Sequence, residues 1–293
     1  MLSIVTLVRD RNALLREFLR GLAHQTDPRF ELVVVQAGGR QDPERITRLF
    51  PHLSVTIHRL DGDDDAIPYS RARNIGAGLG AGEHLAFCDA DTITTPTFVA
   101  NMHRALDEHD AIFSGEVLYL PPIVVGMRTI DDLVAVGRPH SARQRPPEAG
   151  VSLDARHELL WGLCMALRRS TFDRVGGFDE QYGGYAGEDT DLAVRCRALG
   201  VPAGLVADAT VLHQHHDSFD PPVQQLVATV ANAQRFRDMW GWWPMEGWLD
   251  GFERMGLIER THDRATVVRL PTTSEVEACR RRVAAPFRAT TPA

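Results

Sequence analysis

Residues Leu85 to Thr92 read Leu-Ala-Phe-Cys-Asp-Ala-Asp-Thr, and the interpretation of the chain starts from this stretch. A short apolar run ends in two carboxylates, Asp89 and Asp91, which are separated by one residue. Apolar runs of this length with polar or glycine-rich flanks are typical of buried strands in an α/β sheet. Ligands of open α/β sheets bind just beyond the carboxyl ends of the strands. The stretch therefore predicts a buried strand that delivers two carboxylates to a binding site.

The Asp-x-Asp pair has two interpretations. Two carboxylates at a strand end suit a hard cation such as Mg²⁺ or Mn²⁺, which prefers oxygen ligands and often shares them with a substrate diphosphate. A lone Asp-x-Asp more often caps the turn or helix that follows it. Residues elsewhere in the chain are needed to distinguish a cation site from a cap.

On either side of this stretch, short apolar runs alternate with helical segments. The predicted strands are Ser3–Val8, Glu31–Val35, Val55–Arg59, His84–Cys88 and a fifth near Ala111–Leu120. In the first connecting segment, apolar residues recur at helical spacing, so that one side of the helix faces the sheet. Repeated strand–helix units with short connections predict a Rossmann-like α/β fold, with a mostly parallel central sheet and helices on both faces.

The pattern changes in the second half of the chain. Pro, Arg and polar residues dominate 138–150, which predicts a long flexible loop. From about residue 217 the sequence reads as mainly helical, and four tryptophans lie close together in 240–248. Clustered tryptophans can form a sugar-stacking surface but more often pack a small helical layer. We therefore predict a catalytic α/β domain at 1–216 and a C-terminal, mainly helical extension at 217–293 that packs on it.

Composition excludes several classes of protein. The chain has 293 residues, 44% of them hydrophobic and 24% charged, which is ordinary for a globular protein. A net charge of −7 argues against a general nucleic-acid binder but allows a nucleotide ligand. The four cysteines are far apart, so neither a zinc site nor a disulfide framework is predicted. Because the sequence shows no signal peptide and no apolar segment of about 20 residues, we expect a protein without a transmembrane segment that is cytoplasmic, with a peripheral location at the membrane as the alternative.

Charged residues near the helix predicted at Tyr69–Gly80 need an explanation. Arg71 and Arg73 stand in its first turn, where positive charge opposes the helix dipole. An anion bound at the helix N-terminus would account for them, and so would ion pairs with the acidic loop Asp61–Asp65. That loop fits no calcium-binding spacing, and we interpret it as a solvated loop.

Three polar groups stand at the ends of predicted core elements: Asp89 with Asp91, Glu188–Asp191, and His213–His216. Carboxylates and imidazoles together can hold a cation, while a separate carboxylate can accept a proton. Glu188 and Asp189 open a helix, where carboxylates are stabilised in their ionised form. The alternatives are helix capping, for which Asp191 is the better candidate, and a solvated turn for the histidines.

In this order and spacing, residues 3–216 resemble the family 2 glycosyltransferases with the GT-A fold. The motifs that carry the resemblance include Glu31-Leu32-Val33-Val34-Val35, Ala72-Arg73-Asn74-Ile75-Gly76, Phe87-Cys88-Asp89-Ala90-Asp91, Gly176-Gly177-Phe178-Asp179-Glu180 and Gly187-Glu188-Asp189-Thr190-Asp191-Leu192. The second half, with Tyr185-Ala186-Gly187-Glu188-Asp189 and His213, is also similar to the β-1,4-galactosyltransferases and the polypeptide N-acetylgalactosaminyltransferases.

The resemblance implies a metal-dependent transfer of a sugar from a nucleotide-sugar, with UDP favoured, to an acceptor hydroxyl with inversion. It implies that Asp91 and His213 hold Mn²⁺ or Mg²⁺, that Asp189 is the general base, and that Glu188 positions the donor or acceptor sugar. The implied donor-binding residues are Leu7, Arg9, Gln36, Arg73 and Asp89, and the implied acceptor-binding residues are Trp161 and Tyr185. The expected acceptor is a glycan, a lipid-linked molecule or a small molecule.

One residue departs from the family pattern, and two other functions stay open. The usual Asp after the second strand is Gln36 here, which offers a nucleobase different donor and acceptor geometry. A sugar-nucleotide nucleotidyltransferase would need a Gly-rich phosphate loop after strand one, but Arg9–Asn12 contains no Gly. A non-catalytic nucleotide-sugar or carbohydrate-binding module is the other alternative, and the intact Asp91, Asp189 and His213 argue against it. Retention instead of inversion also stays open, because similar folds host both outcomes.

Overall fold

The computed structural model describes residues 1–61, 66–122 and 129–281. Its strands are β1 (Leu2–Val8), β2 (Phe30–Gln36), β3 (Val55–Arg59), β4 (His84–Cys88), β5 (Thr92–Thr94), β6 (Ile112–Tyr119), β7 (Arg138–Pro139), β8 (Val151–Ser152), β9 (Cys164–Arg168), β10 (Ala203–His213), β11 (Ile258–Arg260) and β12 (Ala265–Val267). Its α-helices are α1 (Asn12–Ala23), α2 (Glu44–Thr47), α3 (Tyr69–Leu79), α4 (Phe98–Glu108), α5 (Ile130–Val136), α6 (Arg169–Val175), α7 (Glu188–Ala198), α8 (Leu226–Trp240), α9 (Glu246–Arg254) and α10 (Thr273–Cys279).

A central sheet runs in the order β3-β2-β1-β4-β9-β6-β10-β5. The four strands β3, β2, β1 and β4 are mutually parallel, and β6 is parallel to β10. Strand β9 runs antiparallel between β4 and β6. The predicted α/β class with a mostly parallel sheet is confirmed, and β9 is the antiparallel strand that joins its two parallel parts.

Helices cover both faces of the sheet, as alternate residues along each strand require. In β2, Leu32 and Val34 pack with α1 and α4 on one face, while Val33 and Val35 pack with α3, α6 and α7 on the other. Helix α3 lies so close to β1 that a Cβ on Gly76 would stand 2.3 Å from a methyl carbon of Val5. This close packing places the first turn of α3 beside the carboxyl ends of the central strands.

Strand β5 was missed by the sequence analysis. It follows Asp91 directly and pairs antiparallel with β10, with Thr92 opposite His213. Strand β10 is continuous over Ala203–His213 and contains a register shift in its pairing with β6. A strand of three residues carries no usable periodicity, so only the tertiary pairing reveals it. This pairing carries the Asp89–Asp91 stretch to the end of β10.

The C-terminal residues form helices α8, α9 and α10 and also the hairpin β11–β12, which the mainly helical prediction did not include. They have a hydrophobic core of their own. Trp240 and Trp242 pack around Phe236, which fits the packing interpretation of the tryptophan cluster for these two residues. The predicted boundary between residues 216 and 217 stays a prediction. So does the mobility of 138–150, although β7 within that segment pairs with β6.

A partly buried hydrogen bond joins this C-terminal part to helix α7. The indole Nε1 of Trp240 donates to Asp191 Oδ1 at 2.9 Å, and Arg195 Nε donates to Asp191 Oδ2 at 2.8 Å. Asp191 is completely buried, and both of its carboxylate oxygens accept from side chains. It therefore has a structural role, but the capping interpretation was wrong, because the N-cap of α7 is Gly187 and no side chain among the described residues caps this helix. Within the described residues, no helix has the length and apolarity that a membrane span requires.

Trp240→Phe is expected to lower the free energy of unfolding by about 1–3 kcal/mol, because a buried carboxylate oxygen loses its donor. Urea unfolding measures the change. Trp243→Phe is the matched control, since the Trp243 indole donates at 3.1 Å to the His262 carbonyl at an exposed position. A Trp240→Phe protein as stable as the wild type would refute the structural role of this bond.

Candidate active site

A candidate cation site is formed by Asp91, His213 and His216, whose ligand atoms all lie within 4.8 Å of one another. The β5–β10 pairing builds it, because the Gln214 backbone N donates to the Asp91 carbonyl at 2.7 Å. The buried Gln214 side chain donates to the Leu14 carbonyl at 3.0 Å, which anchors the turn after β10. The cluster contains both predicted ligands, Asp91 and His213. It also contains His216, which sequence reasoning did not single out, and it does not contain His215.

The donor atoms of this cluster fit a divalent cation. Asp91 Oδ1 is buried without a hydrogen-bond partner among the described residues, whereas Oδ2 accepts from Arg11 at 2.8 Å. Burial lowers the pKa of His213 to about 4, so its imidazole is neutral and its nitrogen can bind a metal. Although burial opposes ionisation of Asp91, His213, His216 and Arg11 hold its pKa below the ordinary value. A carboxylate and two imidazoles are a ligand set that transition-metal ions such as Mn²⁺ accept.

A buried ion-pair network lies beside the cation site. Arg73 Nη1 donates to Glu188 Oε1 at 2.5 Å, and Arg73 Nη2 donates to Asp89 Oδ1 at 3.3 Å. The guanidinium is 4% exposed and packs against Gly162, where a Cβ would approach Arg73 Nη2 to 2.8 Å. Arg73 therefore links the carboxyl end of β4 to the start of α7. The acidic loop Asp61–Asp65 was one predicted partner of Arg71 and Arg73. Residues 62–65 of this loop lie outside the described residues.

The predicted base, Asp189, is held by backbone donors on two sides. Gly162 N donates to Oδ2 at 2.8 Å, and Thr190 N donates to Oδ1 at 2.6 Å. The preceding residue, Gly187, has φ +97° and opens α7 in the left-handed region that favours glycine. Asp189 is half-buried, whereas its neighbour Glu188 is 4% exposed. The carboxylate of Asp189 is thus oriented and accessible.

The environment of Glu188 differs from that of Asp189. Burial raises the pKa of Glu188 to about 7, the charge of Asp189 adds to the rise, and Arg73 opposes it. A folded-state pKa above the ordinary value of 4.5 means that the folded protein binds the proton more tightly. The stabilising contribution is complete below pH 4.5 and disappears as the pH rises through about 7.

Glu188→Gln is therefore expected to flatten the pH dependence of stability. Wild-type unfolding free energy should fall by a few kcal/mol between about pH 5 and about pH 7.5 through this group, and the variant should lose that component of the slope. Urea unfolding at the two pH values measures it, with the exposed Glu83→Gln as the control. Equal slopes for Glu188→Gln and the wild type would contradict the raised pKa.

Three of the five predicted donor-side residues, Leu7, Arg9 and Gln36, lie at the carboxyl ends of β1 and β2. Leu7 and Gln36 are half-buried, and the Gln36 Nε2 donates to the carbonyls of Gly38 and Gln41 at 3.4 and 3.3 Å. Gln36 Oε1 is buried and lacks a partner among the described residues. Arg9 follows the end of β1 and is half-buried. A recess next to Gln36 is lined by Ala37, Gly38, Leu60, Asp61, Ala66, Pro68 and Arg71.

The two predicted acceptor-side aromatics lie in different surroundings. Trp161 precedes Gly162, which binds Asp189, and its ring meets His140 edge-on at 5.3 Å between centroids. Tyr185 lies between Tyr69 at 6.2 Å and Trp248 at 5.9 Å, measured between ring centroids, and is stacked on the latter. Trp248 comes from α9, and its contact with Tyr185 was not predicted. A tryptophan of the C-terminal part therefore borders the candidate site.

A known protein family matches most of this chain. A family model described as "Glycosyltransferase like family 2" matches residues 2–232. A curated relative is the validoxylamine A glucosyltransferase of Streptomyces hygroscopicus subsp. limoneus, with 28% identity over 244 residues. The match covers 74% of this chain and 52% of that protein. The chain thus spans about half the length of this relative.

Solved glycosyltransferase structures share the fold. S. aureus TarS, residues 1–349, in complex with UDP-GlcNAc aligns with a TM-score of 0.59 at 16% identity, over 80% of this chain and 66% of that one. GalNAc-T7 with UDP, GalNAc and Mn²⁺ aligns with a TM-score of 0.58 at 15% identity, over 74% of this chain and 44% of that one. At these identities the likeness concerns the fold, and it confirms the GT-A architecture.

Proposed function

This chain belongs to the glycosyltransferase like family 2, and from that premise we propose that it transfers a sugar from a nucleotide-sugar to an acceptor hydroxyl. The reaction depends on a divalent metal ion and inverts the configuration of the sugar. The observation that carries the proposal is the cluster of Asp91, His213 and His216, with a buried carboxylate oxygen that has no partner among the described residues.

The proposed reaction needs two groups of residues, one that holds the metal ion and one that accepts a proton. Asp91, His213 and His216 hold Mn²⁺ or Mg²⁺, which when bound neutralises negative charge on the departing diphosphate. Asp189 takes the proton of the attacking acceptor hydroxyl, because its carboxylate is oriented by Gly162 N and Thr190 N and is accessible. A direct attack assisted by a carboxylate base is a single displacement, which inverts the anomeric carbon.

Arg73, Asp89 and Glu188 position the substrates. Asp89 is 36% exposed and contacts the ribose or the donor sugar, while its hydrogen bond from Arg73 limits its rotation. Glu188 is fixed by Arg73 and places the sugar relative to Asp189. On the acceptor side, Trp161 and Tyr185 offer apolar ring faces of the kind that pack against pyranose rings. The acceptor is a glycan, a lipid-linked molecule or a small molecule.

The proposal also concerns the donor nucleotide and the residues that bind it. Leu7, Arg9 and Gln36 border the place where the nucleotide binds, and the buried Gln36 Oε1 can accept a hydrogen bond from a nucleobase. UDP is favoured because TarS was solved with UDP-GlcNAc and GalNAc-T7 with UDP and Mn²⁺. Membership of the family supports sugar transfer over nucleotidyl transfer or a non-catalytic binding module.

Thermal unfolding with nucleotides tests this function. We expect UDP to raise the unfolding temperature in the presence of Mn²⁺ and to do so much less after EDTA treatment, because Asp91, His213 and His216 would hold an ion whose charge offsets that of the diphosphate. GDP and dTDP, each with and without Mn²⁺, establish the nucleobase preference. An absence of metal-dependent stabilisation by all three nucleotides would refute the proposed function.

A further inference from the structure

A second cavity lies between β6 and the segment that connects β7 with β8. Its polar lining includes Ser114, Glu116, Arg143, Gln144, Arg145 and Arg156. Arg156 pairs with Glu158 at 3.0 Å, so its charge is balanced locally. Arg143 and Arg145 then face a single lining carboxylate, Glu116, and the cavity keeps an excess of positive charge.

Arg143 is held in place but lacks acceptors for part of its guanidinium. The charged group lies 4.3 Å from the ring centroid of Trp161, and one of its nitrogens bonds the hydroxyl of Tyr119. Its Nε and Nη2 are buried and have no hydrogen-bond partner among the described residues. A buried charged donor without an acceptor is unfavourable, so an anion that supplies the acceptor is favoured at this position.

Two further features concern the binding of an anion by Arg143: the charge state of the neighbouring His140 and the shape of the guanidinium. Burial and the charges of Arg143 and Arg281 lower the pKa of His140 to about 4. His140 is therefore neutral, and the positive charge near Trp161 comes from the arginines. A guanidinium presents two parallel N–H donors, a geometry that matches the oxygens of a phosphate.

We propose that this cavity is a phosphate-binding subsite for the acceptor, with Arg143 as its main contact. The proposal rests on the proposed transfer function, because it deepens the description of the acceptor. Trp161 joins the two parts of the site: its ring stacks on Arg143, and the adjacent Gly162 N binds the base Asp189. A phosphorylated acceptor held by Arg143 thus lies on the Asp189 side of the site. The donor diphosphate is the competing source of phosphate oxygens.

The test measures binding of inorganic phosphate by ³¹P NMR to protein saturated with UDP and Mg²⁺, so that the donor site is filled. We expect phosphate to bind the wild type, and Arg143→Gln to weaken that binding about tenfold while UDP affinity stays unchanged. Arg143→Lys, which keeps the charge but not the fork, should fall between them. Arg138→Gln is the control, because Arg138 is exposed and does not line the cavity.

Three results would overturn the subsite: no phosphate binding to the UDP-loaded wild type, equal binding by Arg143→Gln, or a loss of UDP affinity in Arg143→Gln. The last would assign Arg143 to the donor diphosphate. If the wild type does not bind UDP at all, the transfer function fails separately, and the same phosphate titration without UDP still decides whether the subsite exists. Thermal unfolding of each variant verifies that it is folded.

Discussion

Asp189→Asn is expected to lower the transfer rate about 10²- to 10⁴-fold, the range that general base catalysis contributes, with nucleotide and metal binding retained. An amide cannot accept the proton of the attacking hydroxyl, although its shape is the same. One of the two backbone donors, Gly162 N or Thr190 N, loses its acceptor in this variant, so a modest loss of stability is also expected. Steady-state transfer kinetics and UDP titration measure the two effects separately.

Asp191→Asn provides the comparison within the same helix. Asp191 is buried and binds Trp240 and Arg195, so this variant should lose stability but keep the transfer rate per folded molecule. Normal turnover by Asp189→Asn, or a loss of UDP binding that accounts for its whole defect, would contradict the role of Asp189 as the base.

His213→Ala and His216→Ala are each expected to weaken Mn²⁺ binding about 100-fold or more, since even residues that only support metal ligands contribute 10- to 100-fold. Each removes one of three groups whose ligand atoms lie within 4.8 Å of one another. The measurement is the Mn²⁺ concentration needed for half-maximal stabilisation by UDP and for half-maximal turnover.

His215→Ala is the matched control in the same turn, because His215 is not part of the cluster. It should need the same Mn²⁺ concentration as the wild type. If His216→Ala also behaves as the wild type, the metal is held by Asp91 and His213 alone, which was the pair expected from the sequence. If all three histidine variants need the wild-type concentration, the cluster is not the metal site.

The parallel strands could be predicted from the sequence because β2 and β4 contain apolar runs and β3 alternates apolar and polar residues. The bounds of β3 and β4 agree with the prediction to the residue. Among the elements that were missed, β5 and the hairpin β11–β12 have three-residue strands, in which neither alternation nor helical spacing can be recognised. These strands form by pairing with other strands, and the local sequence does not identify the strand with which each one pairs.

The candidate site was predictable only in part, for a related reason. Asp91 and Asp189 follow or open core elements, and a local motif is enough to single them out. The choice of His216 over His215 depends on the turn after β10, which the buried Gln214 anchors to α1. The pairing of Arg73 with Glu188 and the stacking of Trp248 on Tyr185 join residues far apart in the chain. Such contacts follow from packing and not from spacing.

Anomalous diffraction from a crystal grown with UDP and Mn²⁺ tests the central claim most directly. We predict a manganese peak within about 2.0–2.3 Å of an Asp91 oxygen and of a ring nitrogen of both His213 and His216, with the UDP diphosphate beside it and Asp189 facing the vacant sugar position. A manganese peak elsewhere in the molecule, or UDP bound at this place without manganese, would contradict it.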